Sequence, residues 1–143
     1  MPRADFYLIA KPRFAGQPLL LVCELCRKAN DAGMATLVLA RDGAQAEELD
    51  DLLWSFNPDA FIPHQIAGSD EDEDEAVVLI AAPGQEDGSA PRPLVINLRD
   101  AAWLQACDRV LEVVPDDASA REPLRERWRQ YKAAGYALSK HDM

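Results

Sequence analysis

The sequence predicts an α/β fold: a single three-layer, Rossmann-like domain spanning residues 1–143, with a mostly parallel five-stranded sheet. Three observations predict it. Five short apolar runs are continuous rather than alternating, the pattern of strands covered by helices on both faces. Amphipathic helical stretches separate most of them, giving the order β-α-β-α-β-β-α-β-α. The 143 residues are 48% hydrophobic and 28% charged, a globular mixture long enough to bury a core without disulfides or metal.

Asp5 to Ala10 (D-F-Y-L-I-A) is the first strand. A helix follows from Pro18 to about Ala32. Pro18 suits its first turn, Gly33 its C-terminal stop, and Leu21, Val22, Leu25, Cys26 and Ala29 form one apolar face. Thr36 to Ala40 is the second strand. Asp42 caps a second helix, about Ala44 to Trp54, with Ala46, Leu49 and Leu53 inward. Phe61 to Ile66 is extended, and Pro63 keeps it off the interior of a sheet. Six consecutive acids, Asp70 to Glu75, belong in a solvated loop. Val77 to Ala81 is the third strand. Residues 82–93, with Pro83, Gly84, Gly88, Pro91 and Pro93, form a loop. Leu94 to Leu98 is the fourth strand, Asp100 to Ala106 a short helix, and Arg109 to Val114 the fifth strand, stopped by Pro115. The last helix runs from about Ala118 to Ala134 and ends at Gly135.

Several chemistries lack their residues. Cys23 and Cys26 form a C-x-x-C inside a helical stretch, where they read as small buried side chains, and a zinc ribbon would need a second pair. His64 and His141 lie far apart, and no nucleophile-elbow or phosphate-loop motif occurs, so no metal or cofactor is expected. No apolar run reaches the ~18 residues that a membrane span needs. The first ten residues are too short and polar for a signal peptide, so the expected location is the cytoplasm.

The net charge is −10, which disfavours direct binding to duplex DNA. The charge is uneven. Residues 1–120 hold 9 bases against 22 acids, whereas residues 121–132 hold Arg121, Arg125, Arg127, Arg129 and Lys132 against Glu122 and Glu126. A basic patch on an acidic body points to one localised anionic partner. On the last helix, Arg121, Arg125, Trp128 and Lys132 fall within about 60° of one another. Val114 precedes that helix as an apolar floor, and Gly135 and Tyr136 lie at its far end. Cations beside an aromatic wall and an apolar floor match a ligand with carboxylates and one buried hydrophobic group, and arginine grips a carboxylate at two points. A second set, Trp54 and Phe61, sits on a helix end and a Pro-containing segment, where aromatics serve as interface anchors.

Several segments, in order along the chain, resemble the chi subunit of bacterial DNA polymerase III. They are Phe6-Tyr7-Leu8, Val22-Cys23-Glu24, Leu49-Asp50-Asp51-Leu52-Leu53-Trp54, Phe61-Ile62-Pro63-His64-Gln65-Ile66-Ala67-Gly68, Val95-Ile96-Asn97-Leu98, and Arg125-Glu126-Arg127-Trp128-Arg129-Gln130-Tyr131 with Gly135-Tyr136. The combination of L-D-x-x-L-W, F-I-P-H and R-E-R-W is specific. The chain departs from the family in its six-acid loop and in Trp128, where a tyrosine is more usual.

The resemblance implies a non-catalytic adaptor in the clamp-loader assembly. It implies contact with the psi subunit through the region of Trp54, Phe61 and His64. It also implies a second contact, with the acidic C-terminal tail of the single-stranded-DNA-binding protein, at Val114, Arg121, Arg125 and Trp128, with Lys132, Gly135 and Tyr136 in the same stretch. The alternative is a small-molecule- or nucleotide-binding Rossmann-like enzyme domain. Its discriminating feature would be a Gly-rich first strand-to-helix turn, where this chain has Lys11-Pro12-Arg13-Phe14-Ala15-Gly16.

Overall fold

The computed structural model describes residues 2–10, 12–57, 59, 61–68, 76–85, 92–105, 107–115 and 118–143. Strand β1 (Arg3–Leu8) leads through a short helix, α1 (Pro12–Ala15), to α2 (Pro18–Asp31) and β2 (Thr36–Leu39). Helix α3 (Gly43–Ser55) precedes β3 (His64–Ile66), β4 (Val78–Ala81), β5 (Leu94–Asn97) and β6 (Arg109–Val114). A 3-10 turn at Ala118–Ala120 opens α4 (Arg121–Ala133), and β7 (Ala137–Asp142) follows. These strands form one parallel sheet in the order β3-β4-β2-β5-β6-β1-β7.

Local chemistry sets the helix ends. The Asp42 carboxylate accepts a hydrogen bond from the Gln45 amide at 2.8 Å, and the Gln45 side chain accepts one from the Arg41 amide at 2.7 Å. Both satisfy amide donors around the first turn of α3. Helix α4 stops at Gly135, whose φ of +88° suits a residue without Cβ; the Tyr136 amide then bonds to the Tyr131 carbonyl at 3.0 Å.

The period-2 alternation of the strands sorts two cores onto the two faces of the sheet. Ile9, Val38, Ile80, Ile96, Leu111 and Val113 pack with the buried faces of α2 and α3. Ala4, Phe6, Leu37, Leu79, Val95, Val110 and Val114 pack with Tyr131, Leu124 and Trp128 of α4. Helices therefore cover both faces, the three-layer arrangement that the continuous apolar runs predict.

Two expectations need correction, the strand count and one helix. Among the described residues the sheet has seven strands, not five, and all its pairings are parallel. The extended segment at 61–66 contributes β3 immediately after Pro63. It is an edge strand, which is where a strand flanked by proline can sit. Strand β7 has no apolar run and pairs with β1 alone, from Arg3↔Ala137 to Leu8↔Asp142, so half-exposed polar residues suffice for it. Finally, residues 100–105 form no helix. Their backbone is claimed by side chains from elsewhere: the Ala101 carbonyl accepts from Asn97 at 2.8 Å, the Asp100 carbonyl from Arg127 at 3.3 Å, and the Trp103 amide donates to the Tyr131 hydroxyl at 2.9 Å. The six-acid run Asp70–Glu75 lies outside the described residues.

Candidate functional site

Strand β1, strand β7 and helix α4 enclose a groove of about 440 Å³, lined by Phe6, Leu8, Leu124, Arg125, Trp128, Arg129 and Lys140. Its floor follows from the sheet register. Phe6 and Leu8 alternate with Tyr7 and so face α4, and Phe6 stands opposite Lys140 on β7. Trp128 packs on Phe6 with ring centroids 5.1 Å apart, and Tyr131 meets the same ring edge-on at 5.9 Å. These contacts hold Trp128 half-buried as a wall. The cations stand at the rim: Arg125 is 3.1 Å from Glu122 and Arg129 is 3.5 Å from Glu126, both exposed pairs within one helical turn. Such pairs are weak, so an incoming carboxylate competes with them at little cost.

The structure thus brings Arg125 and Trp128 together in one groove. Arg121 and Lys132 are exposed elsewhere on the same helix, and Val114 is buried beside Leu8 in the core beneath α4. Tyr136 packs against Tyr131 with ring centroids 5.0 Å apart, just beyond Gly135. The sequence reading missed Phe6, Leu8, Leu124, Arg129 and Lys140 as groove residues. The alternation of β1 could have found Phe6 and Leu8. Lys140 required knowing that β7 exists.

Arg127 is the exception among the cations of α4. It is only 4% exposed, and its Nε lies 2.9 Å from Glu112 Oε1, an ion contact out of line for a hydrogen bond. Glu112 Oε2 also accepts from Tyr131 at 2.6 Å and from Asn97 at 2.7 Å. Burial pushes the Glu112 carboxyl above its ordinary range, against the pull of Arg127 and those hydrogen bonds. Arg127 is thus spent inside the protein, and the surface patch that the sequence suggested is one charge smaller.

The opposite end of the sheet is different. Trp54 and Phe61 are 61% and 70% exposed, with ring centroids 6.4 Å apart. His64 is buried beneath them: Trp54 lies over its ring at 4.7 Å, and its two nitrogens face the carbonyls of Ile62 at 2.7 Å and Asp50 at 3.2 Å. His64 therefore ties the segment before β3 to α3 and sets the position of Trp54. The carboxylates of Glu47, Asp51 and Asp59 are exposed in the same region.

Other candidates are inert. Burial pushes the Cys23 thiol up to about 12, helped by Glu24, and pushes Cys26 in the same direction. Neither supplies a thiolate. Outside the carboxyl ends of β5 and β6, a cleft of about 250 Å³ is lined by Pro18, Leu19, Arg41, Gln45, Glu48, Leu98, Val113 and Pro115. Pro18 brings no N–H to it, so the start of α2 makes a poor phosphate cradle. Among the described residues, no helix is long and apolar enough to cross a membrane.

Comparison with known proteins gives one consistent result. The family described as "DNA polymerase III chi subunit, HolC" matches residues 1–139. The DNA polymerase III subunit chi of Pseudomonas aeruginosa is 36% identical over 143 residues, covering 99% of this chain and 96% of that protein. The subunit of the same name from Escherichia coli K12 is 35% identical over 121 residues, covering 83% and 81%. In fold alone, the chain is similar to the solved structure of T4 UvsW, with a TM-score of 0.65 at 8% identity over 99% of this chain and 41% of that one. The chain belongs to the DNA polymerase III chi subunit family, as an accessory subunit of that polymerase complex serving DNA replication.

Proposed function

We propose that the chain is a single-domain, non-catalytic adaptor of the clamp loader, working in the cytoplasm and joining two protein partners. The groove under α4 takes the acidic C-terminal tail of the single-stranded-DNA-binding protein. The Trp54–Phe61 edge takes the psi subunit. The observation that carries the first assignment is the pairing of an apolar floor and wall (Phe6, Leu8, Leu124, Trp128) with arginines at the rim. A tail ending in phenylalanine with a free carboxylate offers the matching chemistry: a ring for the floor and carboxylates for the arginines. Arg121 and Lys132 extend the positive field along α4, Val114 lies beside Leu8 of the floor, and Gly135 and Tyr136 end the helix, with Tyr136 packed on Tyr131. For psi, the support is the exposure of two adjacent aromatics held in place by buried His64, since exposed aromatic clusters are frequent binding hot spots.

The test is a calorimetric titration of the chain with a synthetic acidic peptide ending in phenylalanine, alongside the same peptide with an amidated terminus. The free-acid peptide should bind more tightly, and Arg125→Ala should remove most of that difference. Equal binding of both peptides to both chains would contradict the assignment.

A further inference from the structure

Resting on the groove reading above, we infer that Lys140 of β7 is a third ligand-binding cation, so that the groove grips an acidic peptide from two sides. The register places Lys140 opposite Phe6, on the α4 face of the sheet, and its side chain lines the same groove as Arg125 and Arg129. The arginines stand on the helix wall and the lysine on the strand wall, with Phe6 and Leu8 between them. An apolar side chain entering this floor is thereby flanked by positive charge on both sides. This favours a peptide carrying a carboxylate upstream of its apolar residue as well as one at its terminus. The three cations also differ in availability. Arg125 and Arg129 already face Glu122 and Glu126, whereas Lys140 has no carboxylate partner among the described residues. Lys132, the cation that helical spacing alone would nominate, sits two turns beyond Arg125, about 10 Å along the axis, and does not line the groove. Lysine is a single flexible charge, so Lys140 adds attraction without two-point geometry, and Lys140→Arg should preserve it.

The experiment is a fluorescence anisotropy titration of the full chain with a labelled acidic peptide ending in phenylalanine, at low salt. Lys140→Ala should weaken binding by at least about threefold and Lys140→Glu by about tenfold. Lys140→Arg should bind like the unaltered chain, and Lys28→Ala, an exposed lysine of α2 on the opposite face of the sheet, should change affinity by less than about 1.5-fold. Circular dichroism checks that each variant folds. If Lys140→Ala binds within 1.5-fold of the unaltered chain, or Lys28→Ala weakens binding as much, Lys140 has no special role and the inference fails. Arg125→Ala separates the two levels. If it weakens binding while Lys140→Ala does not, only this inference falls. If neither weakens it, the groove reading falls as well.

Discussion

The two edges of the sheet make a natural comparison. At the β7 edge, an apolar groove is rimmed by Arg125, Arg129 and Lys140, and its aromatic, Trp128, is held half-buried against Phe6. At the β3 edge, Trp54 and Phe61 stand out into solvent over a buried histidine, in a region of exposed carboxylates. One edge offers charge around a recess, the other a protruding aromatic pair. The difference would let one chain of net charge −10 serve the two proposed partners without mixing them. A ligand rich in carboxylates is drawn to the first edge and repelled by the second.

The sharpest way to break this comparison is to separate structural from binding cations on α4. Arg127→Met leaves Glu112 buried without its counter-charge and should cost about 3–5 kcal/mol in urea denaturation at neutral pH. That cost should begin to shrink above the ordinary carboxylate range, as the pH falls through the raised Glu112 value, because protonating Glu112 removes the unpaired charge. Arg125→Ala, on the exposed side of the same helix, should shift stability by no more than about 0.5 kcal/mol. At the other edge, Trp54→Ala should weaken binding of psi by about 2–4 kcal/mol, measured by calorimetry, with a stability change under about 1 kcal/mol.

A smaller effect sharpens the charge argument. Arg125→Ala should weaken the tail peptide by roughly 1–3 kcal/mol, and peptide binding to the unaltered chain should weaken as salt is raised from 50 to 300 mM. Binding at the Trp54 edge should respond less to salt, since its anchors are uncharged.

The smallest effect concerns β7 itself. Asp5 is fully buried and receives hydrogen bonds from Arg109, Arg3 and His141. Burial works to raise its carboxyl, but Arg109, His141 and Arg3 outweigh it and hold it below its ordinary value of 3.8. The lowered carboxyl contributes stability that is complete above about pH 5, begins to fall near the ordinary value of 3.8, and is lost as the pH falls through the folded-state value. Asp5→Asn should therefore lower stability by about 1 kcal/mol at pH 6 and flatten the decline between pH 5 and 3, as followed by urea midpoints.

These contrasts also explain what could be read from the chain. Continuous runs such as Thr36–Leu39 and Arg109–Val114 are legible because both faces of a central parallel strand are apolar. Strand β7, with Leu138, Ser139, Lys140 and His141, is not, because an edge strand needs one neighbour and tolerates polar residues on both faces. Arg127 and Arg125 look alike in sequence, and only the position of Glu112 beneath α4 separates them. The absent helix at 100–105 failed for a related reason: its backbone groups are bound by Asn97, Arg127 and Tyr131, partners that local propensity does not register. The stripe of Arg125 and Trp128 was legible because 3.6-residue spacing puts them on one side of one helix, but the opposite wall comes from β1 and β7 and needs the sheet.

The central claim is that the two edges bind different partners independently. Its most direct test is a crossed calorimetric titration, in which Arg125→Ala/Arg129→Ala and Trp54→Ala/Phe61→Ala variants are each titrated with the acidic tail peptide and with psi. The first variant should lose the peptide and keep psi within about twofold, and the second should do the reverse. A folded variant that loses both ligands, or a tail peptide that depends on Trp54 and Phe61 rather than on the arginines, would contradict the account.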